Sequence, residues 1–564
     1  MGAVGSTAGG TTDSTRGWRT DLSIGLIGCV SGLGTRYQRA IRLGGSNPDK
    51  PRPRTLAPPA WPRHRCPTLV QTPHRNPGSI HRHCYDTETR CSSRPYSCLP
   101  YPPARSRAFP APHPHRPAMS DSRFATSMPQ LHSIASQALE IAARSGASAC
   151  DLHVSEGFGQ TVTVRKGEVE TIEHNRDKEL GVTVYLGKQS GFASTSDLGA
   201  KAVADTVAAA LAIARHTASD EANGLAEPEL LVREVRDLDL YHPWDLPADE
   251  AIEMARACEA AAFRLDPRID NSDGASVSTQ QYQFVAANSN GFLQGYQTSR
   301  HSIACAVIAS ERGQMQRDDW YGSARAAVDL PDPAAIGEYA GRRTLARLRS
   351  RSLSTRRVPI LFEAPVAAGL IGHFIGAVSG GSLYRKSSFL LDSLDTQVFS
   401  PIVNLREDPH IPRGLASGCF DDDGVTTRAR DVVQAGVVRG YFLGTYSARK
   451  LGMQTTGNAG GSHNLILAPG EHDLEGLLRE MGTGLLVTDL MGQGVNSVTG
   501  DYSRGAAGFW VQGGRIRHPV EEVTIAGNLR DMFRGIAAIG RDTLVRGSRS
   551  NGSILVEGMT IAGR

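Results

Sequence analysis

The stretch QTVTVRKGEVETIEHN, residues 160–175, predicts a β-hairpin. Valine and threonine alternate with polar residues on both sides of Lys166-Gly167, which supplies the turn. A second stretch of this kind, ELGVTVYLGKQSGFASTSD at residues 179–197, follows directly and has Gly187 in its turn. Because successive hairpins place neighbouring strands antiparallel, we expect an antiparallel sheet in this part of the chain.

Helical segments lie on both sides of these hairpins. Apolar residues recur at helical spacing in SMPQLHSIASQALEIAARSG, residues 127–146, with proline near its start and glycine at its end. Alanine-rich segments at 197–217 and 250–266 are also helical in pattern, and Asn290-Gly291 predicts a further hairpin. We therefore predict an α+β fold whose N-terminal domain, residues 131–345, packs helices on an antiparallel sheet.

The C-terminal part of the chain has a different pattern. From Val358 onward, glycines separate short strand-like runs such as VPILFEA, GLLVTDL and AAGFWVQGGRIRHPV. This spacing predicts a β-rich, barrel-like C-terminal domain over residues 355–564. The seven arginines within residues 342–357 lack interleaved aromatic residues. We interpret them as a solvated helix end and linker, in preference to a nucleic-acid-binding patch.

Residues 1–118 have a separate composition. They hold 17 of the 31 prolines and 17 of the 61 basic residues, but only 5 of the 57 acidic ones. We expect this Pro/Arg-rich extension to be disordered, and Met119 or Met128 would be a sensible natural start. The segment LSIGLIGC at 22–29 is similar to a lipoprotein signal, but its apolar run is short and adjoins Asp21, so export is not expected.

Without the extension, the chain is acidic, with 44 basic and 52 acidic residues. This balance argues against nucleic acid as the main partner. No run reaches the roughly 20 apolar residues of a membrane span, so no membrane contact is expected. The remaining cysteines are far apart and form no CxxC pair, which is typical of reduced, mostly buried thiols in a cytoplasmic protein; they are Cys150, Cys258, Cys305 and Cys419.

The sequence carries no complete catalytic motif. HExxH, GxSxG, GxGxxG and the P-loop pattern are all absent. FDDDGVTTR, residues 420–428, lacks the spacing of a calcium loop and is interpreted as an acidic turn. AGLIGHFIGAVSGG, residues 368–381, predicts a short buried helix with a single histidine, His373. One histidine on an apolar helix is more often a hydrogen-bonded core residue than a metal ligand.

Several long strings together resemble the PmbA/TldD metalloprotease family, on its PmbA (TldE) side. They are RKGEVETIEHNRDKELGVTVYLGKQSGFASTSDL, GLIGHFIGAVSGGSLYRKSSFLLDSL, RGLASGCFDDDGV, GYFLGTYSARKLGMQTTGNAGGSHN and LMGQGVNSVTGDYSRGAAGFWVQGG. The resemblance implies a heteromer in which a TldD-type subunit holds zinc through His-Glu-x-x-x-His and a C-terminal cysteine. It also implies unfolded peptide substrates, with roles in antitoxin degradation, microcin-type peptide maturation and modulation of gyrase inhibition.

Anchoring that motif on RKSS, residues 385–388, places this chain on it residue by residue. The two histidines fall on Gly372 and Ala377, the glutamate on His373, and the cysteine near Asn551. These residues offer no adequate zinc ligands, so we expect no cofactor in this chain and zinc in the TldD-type partner.

The glycine loops of the resemblance supply candidate residues for a peptide channel. Their alternative interpretation is tight turns between strands. The candidates are Gly457, Asn458, His463, Asn464 and Asp501.

Three functions remain open at this point. The first is a non-catalytic subunit of a heteromeric zinc protease. The second is a metallopeptidase in its own right that uses other ligands, such as His373, His463 and Asp501. The third is a regulatory protein that binds gyrase inhibitors or antitoxins without proteolysis.

Overall fold

A computed structural model of the chain describes residue 101 and residues 123–563. Apart from Tyr101, the predicted disordered extension and its signal-like segment lie outside the described residues. The described chain begins with a helix, continues through a large antiparallel sheet with further helices, and ends in two smaller sheets.

The N-terminal sheet has six strands in the order β3-β2-β1-β4-β5-β6, and every neighbouring pair is antiparallel. Lys166 and Gly167 form the predicted first turn with φ angles of 52° and 78°, and Gly187 forms the second with φ 59°. The strands are β1 Ala149–Arg165, β2 Glu168–Leu186, β3 Gln189–Thr195, β4 Ile269–Asn288, β5 Leu293–Glu311 and β6 Gln314–Ala324.

Two pairs of helices cover this sheet and form two apolar clusters with it. The first pair packs mainly on β1, β2 and β3, and the second packs mainly on β4, β5 and β6. A Cβ atom at Gly337 would lie 1.8 Å from the Cys258 carbonyl oxygen, so the second pair can approach this closely only with glycine there. The helices are α1 Met128–Arg144, α2 Ala200–Ala214, α3 Ala248–Phe263 and α4 Pro333–Ala346.

The C-terminal region contains a closed barrel, as the sequence predicts. Its sheet has the order β14-β13-β12-β7-β18-β15, and β14 also pairs with β18 between Thr524–Ala526 and Thr560–Ala562. This extra pairing joins five strands into a ring. The strands are β7 Arg356–Phe362, β12 Gly484–Met491, β13 Asp501–Gln512, β14 Arg515–Asn528, β15 Ile536–Ile539 and β18 Ile554–Ala562.

A third sheet, in the order β10-β9-β8-β11-β17-β16, packs beside the barrel and shares its core. Its strands are β8 Leu405–Asp408, β9 Arg430–Gln434, β10 Val437–Val438, β11 Asn464–Leu467, β16 Leu544–Arg546 and β17 Arg549–Asn551. Five helices lie between the strands of the barrel and of this third sheet, namely α5 Ala364–Ala377, α6 Gly380–Tyr384, α7 Thr445–Leu451, α8 Leu474–Met481 and α9 Leu529–Arg534.

The prediction of a solvated, arginine-rich helix end was wrong for two of its residues. Arg343 of α4 is 3% exposed, and its guanidinium binds Glu363 at 3.0 Å and Asp318 at 3.1 Å. Arg347 binds Asp318 at 3.4 Å and Asp489 at 3.1 Å. These ion pairs join the N-terminal sheet to the start of α5 and to the barrel strand β12, so they belong to the contact between the domains.

Other predictions concern the cysteines, the acidic turn and the membrane. Cys150, Cys258, Cys305 and Cys419 are buried free thiols, as predicted. The acidic turn is present, since the Asp421 carboxylate accepts hydrogen bonds from the backbone N–H groups of Asp423 and Val425. In the portion of the chain with described coordinates, no helix combines the length and apolar character that crossing a membrane requires.

Candidate functional site

The helix α5 carries the positions that the sequence aligns with the zinc motif. It starts directly after the barrel strand β7, with Pro365 in its first turn, and one side of it is buried. Phe374 packs edge-on against Phe399 and Phe533, with ring centroids 5.0 and 6.4 Å apart. The helix is therefore fixed in the core and presents its remaining faces to β17 and β13.

One face of α5 lies against β17. The Asn551 side chain donates to the Ala364 carbonyl at 2.8 Å, and Arg549 donates to the Ala368 carbonyl at 3.2 Å. A Cβ atom at Gly372, one turn further along, would lie 3.0 Å from Nη1 of Arg549. The Arg549 guanidinium therefore occupies the space that a side chain at position 372 would enter.

Arg549 was missed by the sequence analysis. It lies two residues before Asn551 on β17, and residues two apart on a strand point to the same face. The signal that could have found it is this spacing, since Asn551 was itself placed at the motif's cysteine position.

His373 lies on a different side of α5. Its ring meets the buried Tyr502 ring edge-on at 5.9 Å. Burial, together with the positive charges of Arg504 and Arg549, lowers the pKa of His373 below its ordinary value. The histidine is thus held in its neutral form beside β13. Ala377, the last motif position, is buried, and its carbonyl accepts a 2.6 Å hydrogen bond from Ser388.

These residues do not fit a zinc ion. Gly372 and Ala377 carry no ligand atom, Asn551 uses its amide to donate to backbone carbonyls, and Arg549 brings a permanent positive charge. Among residues 101 and 123–563, no three or more His, Cys, Asp or Glu side chains are grouped so that they could hold a metal. The alternative set of His373, His463 and Asp501 is accordingly not assembled as such a group.

The first predicted channel loop is organised by the buried carboxylate of Glu407. It accepts hydrogen bonds at 2.8 Å from the Asn458 amide and from the backbone N–H of His463. The His463 ring in turn lies 3.1 Å from the Gly457 carbonyl, and Gly457 has φ 71°. The polar groups of this loop are therefore engaged within the chain, and its role in substrate binding stays a prediction.

The other two candidates differ in exposure. Asn464 is buried and donates to the Asp408 carbonyl at 2.8 Å and to Ser417 at 2.7 Å. Asp501 is exposed at the start of β13, where hydrogen bonds from Thr499 and Asn528 lower its pKa. Asp501 is the candidate that the structure places near α5, because the residue after it, Tyr502, contacts His373.

A cavity of about 450 Å³ lies beside α5, between the N-terminal and C-terminal parts of the molecule. It is bordered by β6, an outer strand of the N-terminal sheet, and by β16, an outer strand of the third sheet. Arg546 of β16 donates a hydrogen bond to the Tyr321 carbonyl of β6, which joins the two edges. The charged lining residues are Arg300, Arg317, Asp318, Asp319, Arg343, Arg347, Asp489, Arg546 and Arg549.

The charges in this cavity are unevenly paired. Arg347 bridges two of the aspartates, and Asp319 pairs with Arg317 at 3.4 Å. By contrast, Arg546 has no ion pair with any residue that the structure describes, and its guanidinium lies 4.3 Å from the Trp320 ring centroid. This cavity is not evident from the sequence, because its walls come from segments far apart in the chain.

The architecture and the motif position on α5 can now be compared with known proteins. Family models for PmbA/TldA metallopeptidases match in order, as domain 1 over residues 150–214, the central domain over 241–348 and the C-terminal domain over 355–563. Metalloprotease PmbA of Escherichia coli O157:H7 is 49% identical over 77% of this chain and 96% of its own length. The PmbA homolog of Haemophilus influenzae is 46% identical with the same coverage.

Solved structures agree with this assignment. A candidate modulator of DNA gyrase from Bacteroides thetaiotaomicron superimposes with a TM-score of 0.73 at 28% identity, covering 77% of this chain and 98% of that one. TldE from Thermococcus kodakarensis shares the fold, with a TM-score of 0.68 at 19% identity over 76% of this chain and 100% of that one. The fold and its domains are those of a metallopeptidase family. The chain belongs to the PmbA/TldD family, in its PmbA branch.

Proposed function

We propose that this chain is the non-catalytic, PmbA-type subunit of a heteromeric zinc protease that degrades or processes unfolded peptides. The observation that carries the proposal is the pairing of Gly372 with Arg549 on the helix where the family's zinc motif aligns. The catalytic zinc and its general base would then belong to a TldD-type partner.

Electrostatics supports the loss of metal binding. A guanidinium keeps its positive charge at every physiological pH, and it repels a divalent cation over the few ångströms that separate Gly372 from Arg549. The lowered pKa of His373 has the same origin in part, since Arg504 and Arg549 both disfavour a further positive charge there. The site is thus arranged for positive side chains in place of a metal.

The cavity beside α5 supports a role in holding peptides. The outer edges of β6 and β16 both border it. On β6 the Tyr321 carbonyl accepts a hydrogen bond from Arg546, so an extended peptide would have to pair with other backbone N–H and C=O groups of these edges, which it can do whatever its side chains are. This mode of binding suits unfolded substrates, which share a backbone and little else.

The partner and the setting are expectations from the resemblance to the family. The metalloprotease TldD homolog of Haemophilus influenzae is 20% identical to this chain over 69% of it, so TldD-type and PmbA-type chains are related in sequence. We expect a TldD-type subunit to form a heteromer with this one in the cytoplasm. Antitoxins and microcin-type precursors are the expected substrates.

The test is zinc content together with peptidase activity, measured for this chain alone and mixed with a TldD-type partner. The chain alone should hold far less than one zinc per molecule and cleave nothing, whereas the mixture should degrade an unfolded protein such as casein. Arg549→Ala should leave zinc content near zero, because the ligands remain absent.

Three outcomes would contradict the proposal. One tightly bound zinc per chain that disappears in His373→Gln would favour a metallopeptidase in its own right. A stable complex with an antitoxin that survives intact beside the active partner would favour a non-proteolytic regulator. Failure to co-purify with any TldD-type partner would remove the heteromer.

A further inference from the structure

Tyr101 belongs to the Pro/Arg-rich extension, yet its ring lies in the contact between the two halves of the molecule. It stacks on Trp320 of β6 with ring centroids 5.5 Å apart and planes 8° from parallel. It also meets Tyr339 of α4 at 6.1 Å. Leu544 of β16 joins the same apolar cluster. Tyr101 therefore marks a place where an aromatic side chain fits beside both edge strands.

The site occupied by the Tyr101 ring borders the cavity next to α5. Trp320 and Arg343 contribute to the cavity wall, and both guanidinium groups near Trp320 lie against its ring, that of Arg343 at 5.2 Å and that of Arg546 at 4.3 Å. Stacking on Trp320 favours an aromatic guest over an aliphatic one of similar size, and the cation–π contacts of the two guanidinium groups help to fix the Trp320 ring. We call this place, formed by Trp320, Tyr339, Arg343 and Arg546, the aromatic pocket.

The pocket shows no requirement for the tyrosine hydroxyl. Within the part of the chain that the structure describes, the Tyr101 hydroxyl is buried and has no hydrogen-bond partner. Burial and the nearby carboxylates of Glu363 and Asp542 raise its pKa well above the ordinary value. A buried hydroxyl without a partner is unfavourable. Phenylalanine should therefore fit at least as well as tyrosine.

We propose that the aromatic pocket is a side-chain subsite for peptides with an aromatic residue, and that Tyr101 occupies it as an intramolecular ligand. A peptide lying along β6 would place its phenylalanine or tyrosine ring on Trp320 once Tyr101 leaves. The subsite gives this subunit a sequence preference that backbone pairing alone cannot give. It also makes Tyr101 a competitor of peptide binding.

The test compares the full chain with Tyr101→Ala, using fluorescein-labelled pentapeptides of the form Ala-Ala-Xaa-Ala-Ala, where Xaa is Phe, Tyr, Leu or Ala. Fluorescence anisotropy measures the dissociation constants. Tyr101→Ala should bind the Phe peptide about tenfold to hundredfold more tightly than the Ala peptide. The full chain should bind the Phe peptide at least about tenfold more weakly than Tyr101→Ala, because a tethered competitor has a high effective concentration.

Control variants separate the pocket from general effects. Tyr101→Phe should keep the weak binding of the full chain, and Tyr446→Ala, which removes a surface tyrosine elsewhere, should change nothing. In the Tyr101→Ala background, Trp320→Leu should abolish the preference for Phe over Ala. If its melting curve shows that this variant is unfolded, Tyr339→Leu serves the same purpose.

The proposal is overturned if Tyr101→Ala binds none of the peptides, binds all four equally, or binds no better than the full chain. It is equally overturned if the preference survives loss of the Trp320 ring. This inference rests on the proposed function only in assuming that the cavity beside α5 accepts extended peptides, and it requires that Tyr101 is present in the natural chain in spite of the start expected at Met119 or Met128. Because the assay uses the chain alone, its failure would leave the zinc and reconstitution tests of the proposed function unaffected.

Discussion

Replacing Arg343 with methionine should be among the most damaging single changes in this protein. The guanidinium reaches both carboxylate oxygens of Glu363 at 3.0 Å and one oxygen of Asp318 at 3.1 Å. Glu363 is only 1% exposed. Methionine has a similar length but no charge, so Arg343→Met would leave the Glu363 carboxylate buried without its cation.

The structure sets the size of this effect. Removing one partner of a buried, hydrogen-bonded ion pair costs about 3–5 kcal/mol, which corresponds to roughly two to four powers of ten in the unfolding equilibrium. The neighbouring Arg342 supplies a matched control. It pairs with Glu338 at 3.5 Å, and both side chains are nearly half exposed. Arg342→Met should therefore cost about 0.5 kcal/mol or less.

Urea titration followed by tryptophan fluorescence measures both variants under identical conditions. The double variant Arg343→Met with Glu363→Gln should be more stable than the sum of the single effects predicts, with a coupling of about 0.5–3 kcal/mol, because the uncompensated charge is gone. If Arg343→Met shifted the midpoint no more than Arg342→Met, the idea that this ion pair fastens the N-terminal sheet to α5 would be refuted.

Three further predictions concern α5 and a buried thiol. The pKa of His373 is lowered in the folded chain, so the unfolded chain binds a proton more readily once the pH falls below the ordinary histidine pKa of 6.5, and the free energy of unfolding should then decrease. Arg549→Gln should raise the NMR-measured pKa of His373. An unchanged titration would argue against the electrostatic influence of Arg549. Gly376→Ala, whose Cβ meets nothing within 4 Å, should stabilise the chain by about 0.5–1 kcal/mol, whereas Gly372→Ala should gain less because it displaces Arg549; equal melting shifts would contradict this. Burial raises the pKa of Cys150 to about 12, so iodoacetamide at pH 8 should not label it in the native chain, as peptide mapping by mass spectrometry will check.

Local patterns made much of the N-terminal sheet predictable. The turn at Lys166-Gly167 needs two residues that tolerate positive φ, and the alternation of side chains on both sides of it fixes the pairing of β1 with β2. The turn at Asn290-Gly291 was also predicted, and it lies in the connection between β4, which ends at Asn288, and β5, which begins at Leu293. Within this connection the Asn288 side chain accepts a hydrogen bond from the Asn290 backbone N–H.

Long-range contacts explain what the sequence could not give. Arginines in such a run are normally exposed to solvent. The residues adjacent to Arg343 in the sequence do not indicate that Glu363 and Asp318 will surround its side chain. The pairing of β14 with β18 that closes the barrel also joins distant segments. The cavity walls are assembled in the same way, so neither its charge nor its edge strands could be read from any single stretch.

The positions on α5 show how sequence and structure complement each other. The alignment of Gly372 with a metal-ligand position says only that a ligand is missing there, and a missing ligand is compatible with binding of the metal elsewhere. The structure adds that Arg549 of β17 occupies the space that a side chain at position 372 would enter, and that it donates a hydrogen bond to the Ala368 carbonyl of α5. A guanidinium in this place stabilises the helix while it opposes any cation. The proposed non-catalytic role requires a helix that keeps its structure without a bound metal, and these contacts of Arg549 support that part of the proposal.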